Sequence, residues 1–206
     1  MKIITMRVGA LQTNCYILCD ESTHTAAIID PGANFAGILA ELENASCTAE
    51  YIILTHGHFD HAGAAKELIV ATGAKLVAHK LEAEIIASAT LSLHSIFTSK
   101  PYQPLVADIL VAEGDSLPLG SLELKFMHTP GHTQGGCSII CGDNIFCGDT
   151  VFKENIGRTD FPTANPIEMS RSVKRIAAIE GEYNLYPGHG ETTTLSYERK
   201  NNPYMR

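Results

Sequence analysis

Short apolar runs recur along the chain and end in turn-forming residues, a pattern that predicts β-strands. Between several of these runs, apolar residues return at helical spacing, as Phe35, Ile38 and Leu42 do. The predicted strands cover residues 2–8, 14–19, 25–29, 51–54, 75–78, 108–111, 122–128, 137–141, 144–147 and 183–186. The predicted helices cover residues 34–45, 62–71, 80–88, 165–180 and 194–201. Residues 89–104 follow neither pattern, and we expect a loop there with at most one helical turn.

The order of these elements predicts the fold class. The strands and helices form two similar halves, each of which is strand-rich first and helical later, and helices that cover stacked sheets suit this order. We expect one α/β domain over residues 1–206. Within it, the helix at 165–180 carries start signals: Asn165 as N-cap, Pro166 at the first helical position, and Glu168 where a capping box needs an acid.

Composition and charge exclude some classes of partner. The chain has 206 residues, of which 45% are hydrophobic and 18% charged, with a formal net charge of −8. The sequence pI of about 5.5 argues against nonspecific binding to nucleic acid or to an anionic membrane. The N-terminus lacks a signal-peptide pattern, so we expect a cytoplasmic protein. Its six cysteines lack CxxC spacing and are expected to be reduced and buried.

Candidate chemistry is concentrated in the polar residues that follow four of the predicted strands. The motif THGHFDH follows the strand at 51–54, and TPGHT, GDT and PGHG follow or close three later strands. The side chains concerned are His56, His58, Asp60, His61, His132, Asp149 and His189. Ligand sites in α/β folds lie at such strand ends.

Imidazole and carboxylate groups in this number predict a metal centre. They are the ligand set for zinc, iron and manganese, and seven of them exceed what one tetrahedral ion needs. The seven fit two ions that share a carboxylate. His56 and His58 are expected to point the same way, whereas Asp60 and His61 belong to the next turn and can reach the second ion.

The same motifs resemble the signature of the metallo-β-lactamase superfamily. THGHFDH, IIDPG, TPGHT, CGDT and PGHG match that pattern in order over nearly the whole chain. Within the superfamily the chain is most similar to glyoxalase II-like hydrolases, through TNCYI at 13–17, IGRTDFP at 156–162 and NNPYM at 201–205. The resemblance implies an αββα sandwich, two stacked mixed sheets flanked by helices, with the metals at one edge.

The resemblance also implies a role for each residue. The first metal would be held by His56, His58 and His132, the second by Asp60, His61 and His189, and Asp149 would bridge them. Asp30 would steady the ligand loop from outside the metal shell. Arg158 would contact a substrate carboxylate, with an Arg158–Asp160 pair as the alternative. Two transition-metal ions are implied, zinc first, with iron and manganese as alternatives.

The function implied is thioester hydrolysis, most simply of S-lactoylglutathione to a 2-hydroxy acid and glutathione. The partner expected is therefore a small-molecule thioester, and the oligomeric state stays open. The chain departs from glyoxalase II in that it ends about seventeen residues after His189, without the C-terminal helical domain that binds glutathione. The alternative is a mononuclear-iron persulfide dioxygenase acting on glutathione persulfide. Hydrolysis of β-lactams is disfavoured, because Asp149 stands where true β-lactamases place a cysteine or histidine.

Overall fold

The first of two mixed sheets is built from the N-terminal half of the chain. The computed structural model describes residues 1–99 and 101–206. The strands of this sheet are β1 (Lys2–Val8), β2 (Thr13–Asp20), β3 (Thr25–Ile29), β4 (Thr48–Ile53), β5 (Lys75–His79) and β6 (Ile109–Val111), and they lie side by side in chain order. The pairs from β1 to β3 are antiparallel, and those from β3 to β6 are parallel.

The second sheet is built from the C-terminal half. Its strands are β7 (Ser116–Leu119), β8 (Leu122–His128), β9 (Cys137–Cys141), β10 (Asn144–Gly148), β13 (Asn184–Pro187) and β14 (Thr193–Thr194), in the order β14-β13-β10-β9-β8-β7. Only β10 and β13 pair in parallel; the other neighbours are antiparallel. A separate two-stranded ribbon joins β11 (Val151–Phe152) to β12 (Asn155–Ile156).

Helices cover the outer faces of the two sheets. They are α1 (Phe35–Asn44), α2 (Phe59–Ala62), α3 (Ala65–Thr72), a 3-10 turn (Lys80–Glu82), α4 (Ala83–Ala87), α5 (His94–Phe97), α6 (Pro166–Ala177) and α7 (Leu195–Asn201). Across residues 1–99 and 101–206, no helix combines the length and the apolar character that crossing a bilayer would require.

Alternation along the strands divides the core into three apolar layers. In β2, Tyr16 and Leu18 face the second sheet, where Phe146 packs, whereas Ile17 and Cys19 face the layer under α1 and α3. A third layer lies between the outer face of the second sheet and α6, through Ile145, Leu185 and Val173 among others. The layers are therefore helix, sheet, sheet and helix, which confirms the predicted αββα sandwich.

Most of the predicted elements are present, and the differences have local causes. The helix predicted at 80–88 is a 3-10 turn followed by α4, and 89–104 contains the short α5. The side chain of Asn165 caps α6 by accepting from the backbone N–H groups of Ile167 and Glu168. The capping-box prediction was wrong, because Glu168 bonds Arg171 and the N–H of Asn165 donates to Gly131. α6 also ends at Ala177, earlier than the predicted residue 180.

Asp20 links a turn of one sheet to a turn of the other. Its carboxylate accepts from the N–H (2.6 Å) and hydroxyl (2.8 Å) of Ser121, between β7 and β8, and from the N–H (3.0 Å) and hydroxyl (2.7 Å) of Ser22, between β2 and β3. The N–H of Ser121 is the main reason why the pKa of Asp20 lies well below its usual range. The charged form of Asp20 therefore stabilises the sandwich.

We expect Asp20→Asn to lower the melting temperature at pH 7, because an amide NH₂ would face one of the backbone N–H groups that the carboxylate accepts from. A depressed folded-state pKa stabilises the fold above the unfolded-state pKa of Asp, about 3.9, and this stability is lost as the pH falls through the folded-state value. The difference in melting temperature between variant and wild type should therefore be constant above about pH 5 and begin to shrink only as the pH falls below about 4. A difference that is independent of pH would show that the charge of Asp20 does not contribute.

Candidate metal centre

The structure brings all seven predicted ligand side chains together. His56 and His58 lie in the loop after β4, Asp60 and His61 on α2, and the others after β8, β10 and β13. Their ligand atoms form three groups whose members lie within 4.8 Å of one another. These groups are His56, His58 and His132; His56, His61 and Asp149; and Asp60, His61 and His189.

The first group is a set of three buried imidazoles. Nδ1 of His58 lies 3.0 Å from Nε2 of His132. Nδ1 of His132 lies 2.8 Å from the backbone carbonyl of Arg158. Because a carbonyl only accepts, that Nδ1 carries the proton and Nε2 offers its lone pair to the group. His132 is thus oriented for a ligand role by the loop that follows Asp149.

Asp60, His61 and His189, called the second group below, combine a carboxylate with two imidazoles. Oδ2 of Asp60 lies 3.6 Å from Nε2 of His61 and 3.3 Å from Nε2 of His189. The outer nitrogens face oxygen acceptors: Nδ1 of His61 is 3.0 Å from Asp30, and Nδ1 of His189 is 3.2 Å from the carbonyl of Leu11. Both histidines therefore direct Nε2 inward by the same device as His132.

Asp149 lies between the two groups. Its Oδ1 is 3.5 Å from Nε2 of His61, and its Oδ2 is 3.5 Å from Nε2 of His132 and 3.6 Å from Nε2 of His189. A Cβ on Gly188 would lie 2.1 Å from Oδ1 of Asp149, so only glycine lets the turn before His189 come this close. Oδ2 therefore contacts a histidine of each group, and Oδ1 contacts His61 as well.

The donor set fits two metal ions. Among the described residues, Nε2 of His56, Nε2 of His61 and Oδ1 of Asp149 are buried without a hydrogen-bond partner. Orphaned buried polar atoms are costly unless something binds them. The ligand-atom separations of 3.0 to 3.6 Å quoted above also suit a shared tetrahedral ion, because zinc–nitrogen bonds of about 2.0–2.1 Å place two ligands about 3.3 Å apart.

The electrostatics of the cluster favour bound cations. Burial holds the pKa of His56 and His58 well below the usual value, so both imidazoles are neutral donors. Burial opposes the charged form of Asp60 as well, but His61 and its other partners outweigh this and lower the pKa of Asp60. Burial also disfavours the charged form of His61, but Asp60, Asp149 and Asp30 outweigh it and raise the pKa of His61 to about 10, so a metal ion at Nε2 of His61 would take the place of a proton.

Asp30 lies outside the seven and contacts two of the segments that carry them. Its Oδ1 accepts from the N–H of Thr55 at 2.8 Å, and its Oδ2 accepts from the Thr55 hydroxyl at 2.6 Å and from His61 at 3.0 Å. Asp30 thus contacts the ligand loop at Thr55 and α2 at His61, and the steadying role that the resemblance implied for it stays a prediction.

The side chain of Arg158 is paired with Asp160. Nε donates to Oδ1 at 2.6 Å and Nη2 to Oδ2 at 2.7 Å, and the guanidinium lies 4.0 Å from the centre of the Phe161 ring. Both charged side chains are more than half exposed, at 57% and 65%. The alternative anticipated from the sequence is thus present in the structure, and a substrate anion would have to share or displace Asp160.

Two polar residues that support the cluster were not recognised in the sequence. The hydroxyl of Thr13 donates to Asp60 at 2.9 Å, and its position at the start of a strand gave no sign of this. Glu82 is fully buried beside the first group, and its burial raises the pKa of its carboxyl to about 7 against the opposing effect of three hydrogen bonds. A glutamate within a helical pattern is usually exposed.

A cleft of about 700 Å³ opens beside Asp60. Its walls include Leu11, Phe59, Phe97 and Tyr102. The rings of Phe59 and Phe97 stack with their centres 5.3 Å apart. Small-molecule sites have volumes of roughly 300–1,000 Å³, so the cleft can admit a substrate next to the cluster.

The chain belongs to the metallo-beta-lactamase superfamily. The pattern of that superfamily matches residues 8–189, a span that contains every residue of the cluster. Members of the superfamily are generally metal-dependent hydrolases. The fold and the site geometry thus agree with membership of this superfamily of metallo-hydrolases.

Relatives of this chain include several proteins of similar length. An uncharacterized protein of Mycobacterium leprae is 32% identical, over 100% of this chain and 99% of its own. A protein of Haemophilus influenzae named hydroxyacylglutathione hydrolase GloC is 29% identical, over 100% of this chain and 98% of its own.

Three solved structures have the same fold. The BLEG-1 B3 metallo-beta-lactamase superimposes with a TM-score of 0.93 at 29% identity, covering 99% of both chains. TTHA1623 in a di-iron-bound form has a TM-score of 0.87 at 32% identity, covering 98% of this chain and 99% of its own. ETHE1 from Myxococcus xanthus has a TM-score of 0.81 at 27% identity, covering 98% of this chain and 84% of its own.

We expect purified protein supplied with metal to contain close to two ions per chain, because the ligand atoms form two adjacent sets. Asp149→Ala should lower the content towards one ion or less, since it removes the carboxylate that contacts both sets. Asp143→Ala is the matched control, an exposed carboxylate at the other end of β10. Elemental analysis after desalting measures the ratio. Retention of two ions in Asp149→Ala would contradict the shared role of that carboxylate.

Proposed function

We propose that this protein is a binuclear metal-dependent hydrolase of thioesters, with S-lactoylglutathione as the simplest substrate. The observation that carries the proposal is the second ligand group, Asp60, His61 and His189, which lies beside the first with Asp149 in contact with both. A mononuclear enzyme would not need this second set. A site with two cations suits hydrolytic chemistry that involves no redox step.

The contacts of the cluster support a role for each residue. His56, His58 and His132 would hold the first ion, Asp60, His61 and His189 would hold the second, and Asp149 would be shared between them. Zinc is the metal we expect, with iron and manganese as alternatives, because neutral imidazole and carboxylate suit all three. The di-iron form of TTHA1623, at 32% identity, supports iron as an alternative.

Each part of the chain has its own task at this centre. Metal ions at this centre would supply two kinds of chemistry: they would lower the pKa of a water molecule and polarise a carbonyl oxygen. Asp30 and the Leu11 carbonyl orient His61 and His189, while the Arg158 carbonyl orients His132. The ring of Phe161 packs edge-on against His58, with ring centres 5.7 Å apart.

The choice of a thioester rests on resemblance and on room for a substrate. The Haemophilus influenzae relative is named a hydroxyacylglutathione hydrolase. Thioesters suit this site because a thiolate leaves without needing a strong general acid. The cleft beside Asp60 has room for a substrate larger than a lactoyl group.

A persulfide dioxygenase is the second candidate, and the structural similarity to ETHE1 supports it. Such an enzyme would keep one iron, held by two histidines and an aspartate, and leave the second group unused. The segment before GRTDF reads ENI, without the cysteine expected for that class. Hydrolysis of β-lactams is a third candidate because of the likeness to BLEG-1, but Asp149 stands where we expect a cysteine or histidine in such enzymes.

We expect zinc-loaded protein to release free thiol from S-lactoylglutathione without oxygen, because hydrolysis needs no electron acceptor. The measurement is an anaerobic thiol-release assay, run beside an oxygen-electrode trace with glutathione persulfide and a chromogenic cephalosporin assay on one preparation. Oxygen uptake with persulfide that needs iron, without anaerobic thiol release, would replace the proposal with the dioxygenase. Turnover of the cephalosporin alone would replace it with β-lactam hydrolysis.

We expect Arg158→Ala to raise KM for S-lactoylglutathione about two- to fivefold with little change in kcat. The contact that is lost is charged but exposed, and an exposed ion pair is worth little. The backbone carbonyl that orients His132 stays in this variant. Steady-state kinetics on this substrate and on a small uncharged thioester measure the effect.

The matched control is Asp160→Asn, which releases Arg158 from its carboxylate partner and should leave KM unchanged or lower it. The uncharged thioester should respond to neither substitution. Equal losses on both substrates in Arg158→Ala would instead show that Arg158 only supports its loop.

A further inference from the structure

Glu82 is a buried carboxylate that joins two of the loops carrying the cluster. Its side chain is fully buried at the end of the 3-10 turn after β5. Oε2 accepts from the N–H of Gly57 at 2.6 Å, between His56 and His58. Oε1 accepts from the hydroxyl of Thr133 at 2.6 Å and from the N–H of Gly135 at 2.9 Å, just after His132. All three bonds thus end within three residues of the first histidine group.

Glycine at both backbone donors makes room for this carboxylate. A Cβ on Gly57 would lie 3.0 Å from Oε2 of Glu82 and 2.8 Å from methyl carbons of Ile85 and Ile86. A Cβ on Gly135 would lie 2.8 Å from Oε1. Both loops therefore approach Glu82 more closely than any residue with a side chain would allow.

Fold stability alone explains this arrangement poorly. Among the described residues, no lysine, arginine or histidine forms an ion pair with Glu82, so its charge is balanced only by N–H and O–H donors. A buried charge of this kind is costly to desolvate and is weak evidence for stability. What the carboxylate does provide is a fixed distance between two backbone segments.

We propose that Glu82 is a positioning residue that sets the metal affinity of the His56, His58 and His132 group by holding the loops of Gly57 and Gly135 together. This inference rests on the proposed metal centre. Glu82 acts on the three histidines through the backbone and touches neither ion nor substrate. Asp30 has the corresponding task at His61, so each group has its own buried carboxylate.

Glu82→Gln is the sharpest substitution because it keeps size and shape. An amide has one oxygen and one NH₂, and either orientation brings the NH₂ against a backbone N–H, of Gly57 or of Gly135. The matched control is Glu198→Gln. Glu198 is also fully buried, and it accepts from two N–H groups, of Glu154 and of the Asn202 side chain, and from the hydroxyl of Thr193.

The experiment is a Co²⁺ titration of chelator-stripped protein, followed by visible absorption and by competition with a chelator. Partners outside the metal shell typically change metal affinity 10–100-fold, so we expect Glu82→Gln to weaken the tighter or the weaker Co²⁺ step about tenfold or more and to alter the spectrum. Glu198→Gln should keep the Co²⁺ affinity and the spectrum of the wild type, even if it lowers the melting temperature of the metal-free protein as much as Glu82→Gln does.

If Glu82→Gln does not fold, Thr133→Val replaces it as the test variant. This substitution removes one of the three hydrogen bonds to Glu82 and leaves the side-chain volume almost unchanged. It should weaken one Co²⁺ step by a smaller factor. Wild-type affinity and spectrum in the Glu82 or Thr133 variant would overturn the inference, as would equal weakening in Glu198→Gln. Absence of Co²⁺ binding by the wild type would instead overturn the metal centre itself, so the two failures are distinguishable.

Discussion

The carboxylate of Asp30 holds the end of β3 to the end of β4 and to α2. It accepts from the N–H and hydroxyl of Thr55 and from Nδ1 of His61, and it is almost completely buried. Its backbone has φ of +52°, a left-handed conformation that aspartate tolerates better than most residues. Four of the seven cluster residues lie between positions 56 and 61, so the site depends on this contact.

Buried carboxylates serve the same purpose at four places in the fold. Asp20, Asp30, Glu82 and Glu198 are each nearly or fully buried, and each accepts at least one backbone N–H from a loop or turn. Strand pairing satisfies the backbone within the sheets but leaves these connecting segments without partners. A carboxylate can accept several donors at once, so one side chain fixes two segments. Asp30 and Glu82 use this capacity at the cluster, and Asp20 and Glu198 use it elsewhere.

The cluster is a place where stability and function oppose each other. Imidazoles and carboxylates are buried together with several ligand atoms lacking hydrogen-bond partners. Such burial is unfavourable by itself, and a bound cation offsets it by its differential affinity for the folded state. The surrounding αββα core consists of three layers of buried apolar side chains, which supply the stability that this region does not.

Much of the fold was predictable because its strands carry long apolar runs with clear turn signals. The elements that escaped prediction are α2, β7, β11, β12 and β14, which have two to four residues each. Elements of that length carry no periodicity to detect, and pairing with a neighbour decides whether they form. The capping box at α6 failed for a related reason: the N–H that Glu168 would have bonded was already taken by Gly131 of another loop.

The sequence by itself determined the αββα class and the seven residues that the fold brings together. The ends of strands can be predicted from the apolar runs. A cluster of histidines and aspartates directly after a strand is rarely explained by a purely structural role. Only the tertiary structure decided which partners orient those side chains: the carbonyls of Leu11 and Arg158, the hydroxyl of Thr13, and Glu82. These contacts join segments from separate parts of the chain, and backbone carbonyls are present at every position. No local pattern can mark them, because they exist only once the two sheets have packed.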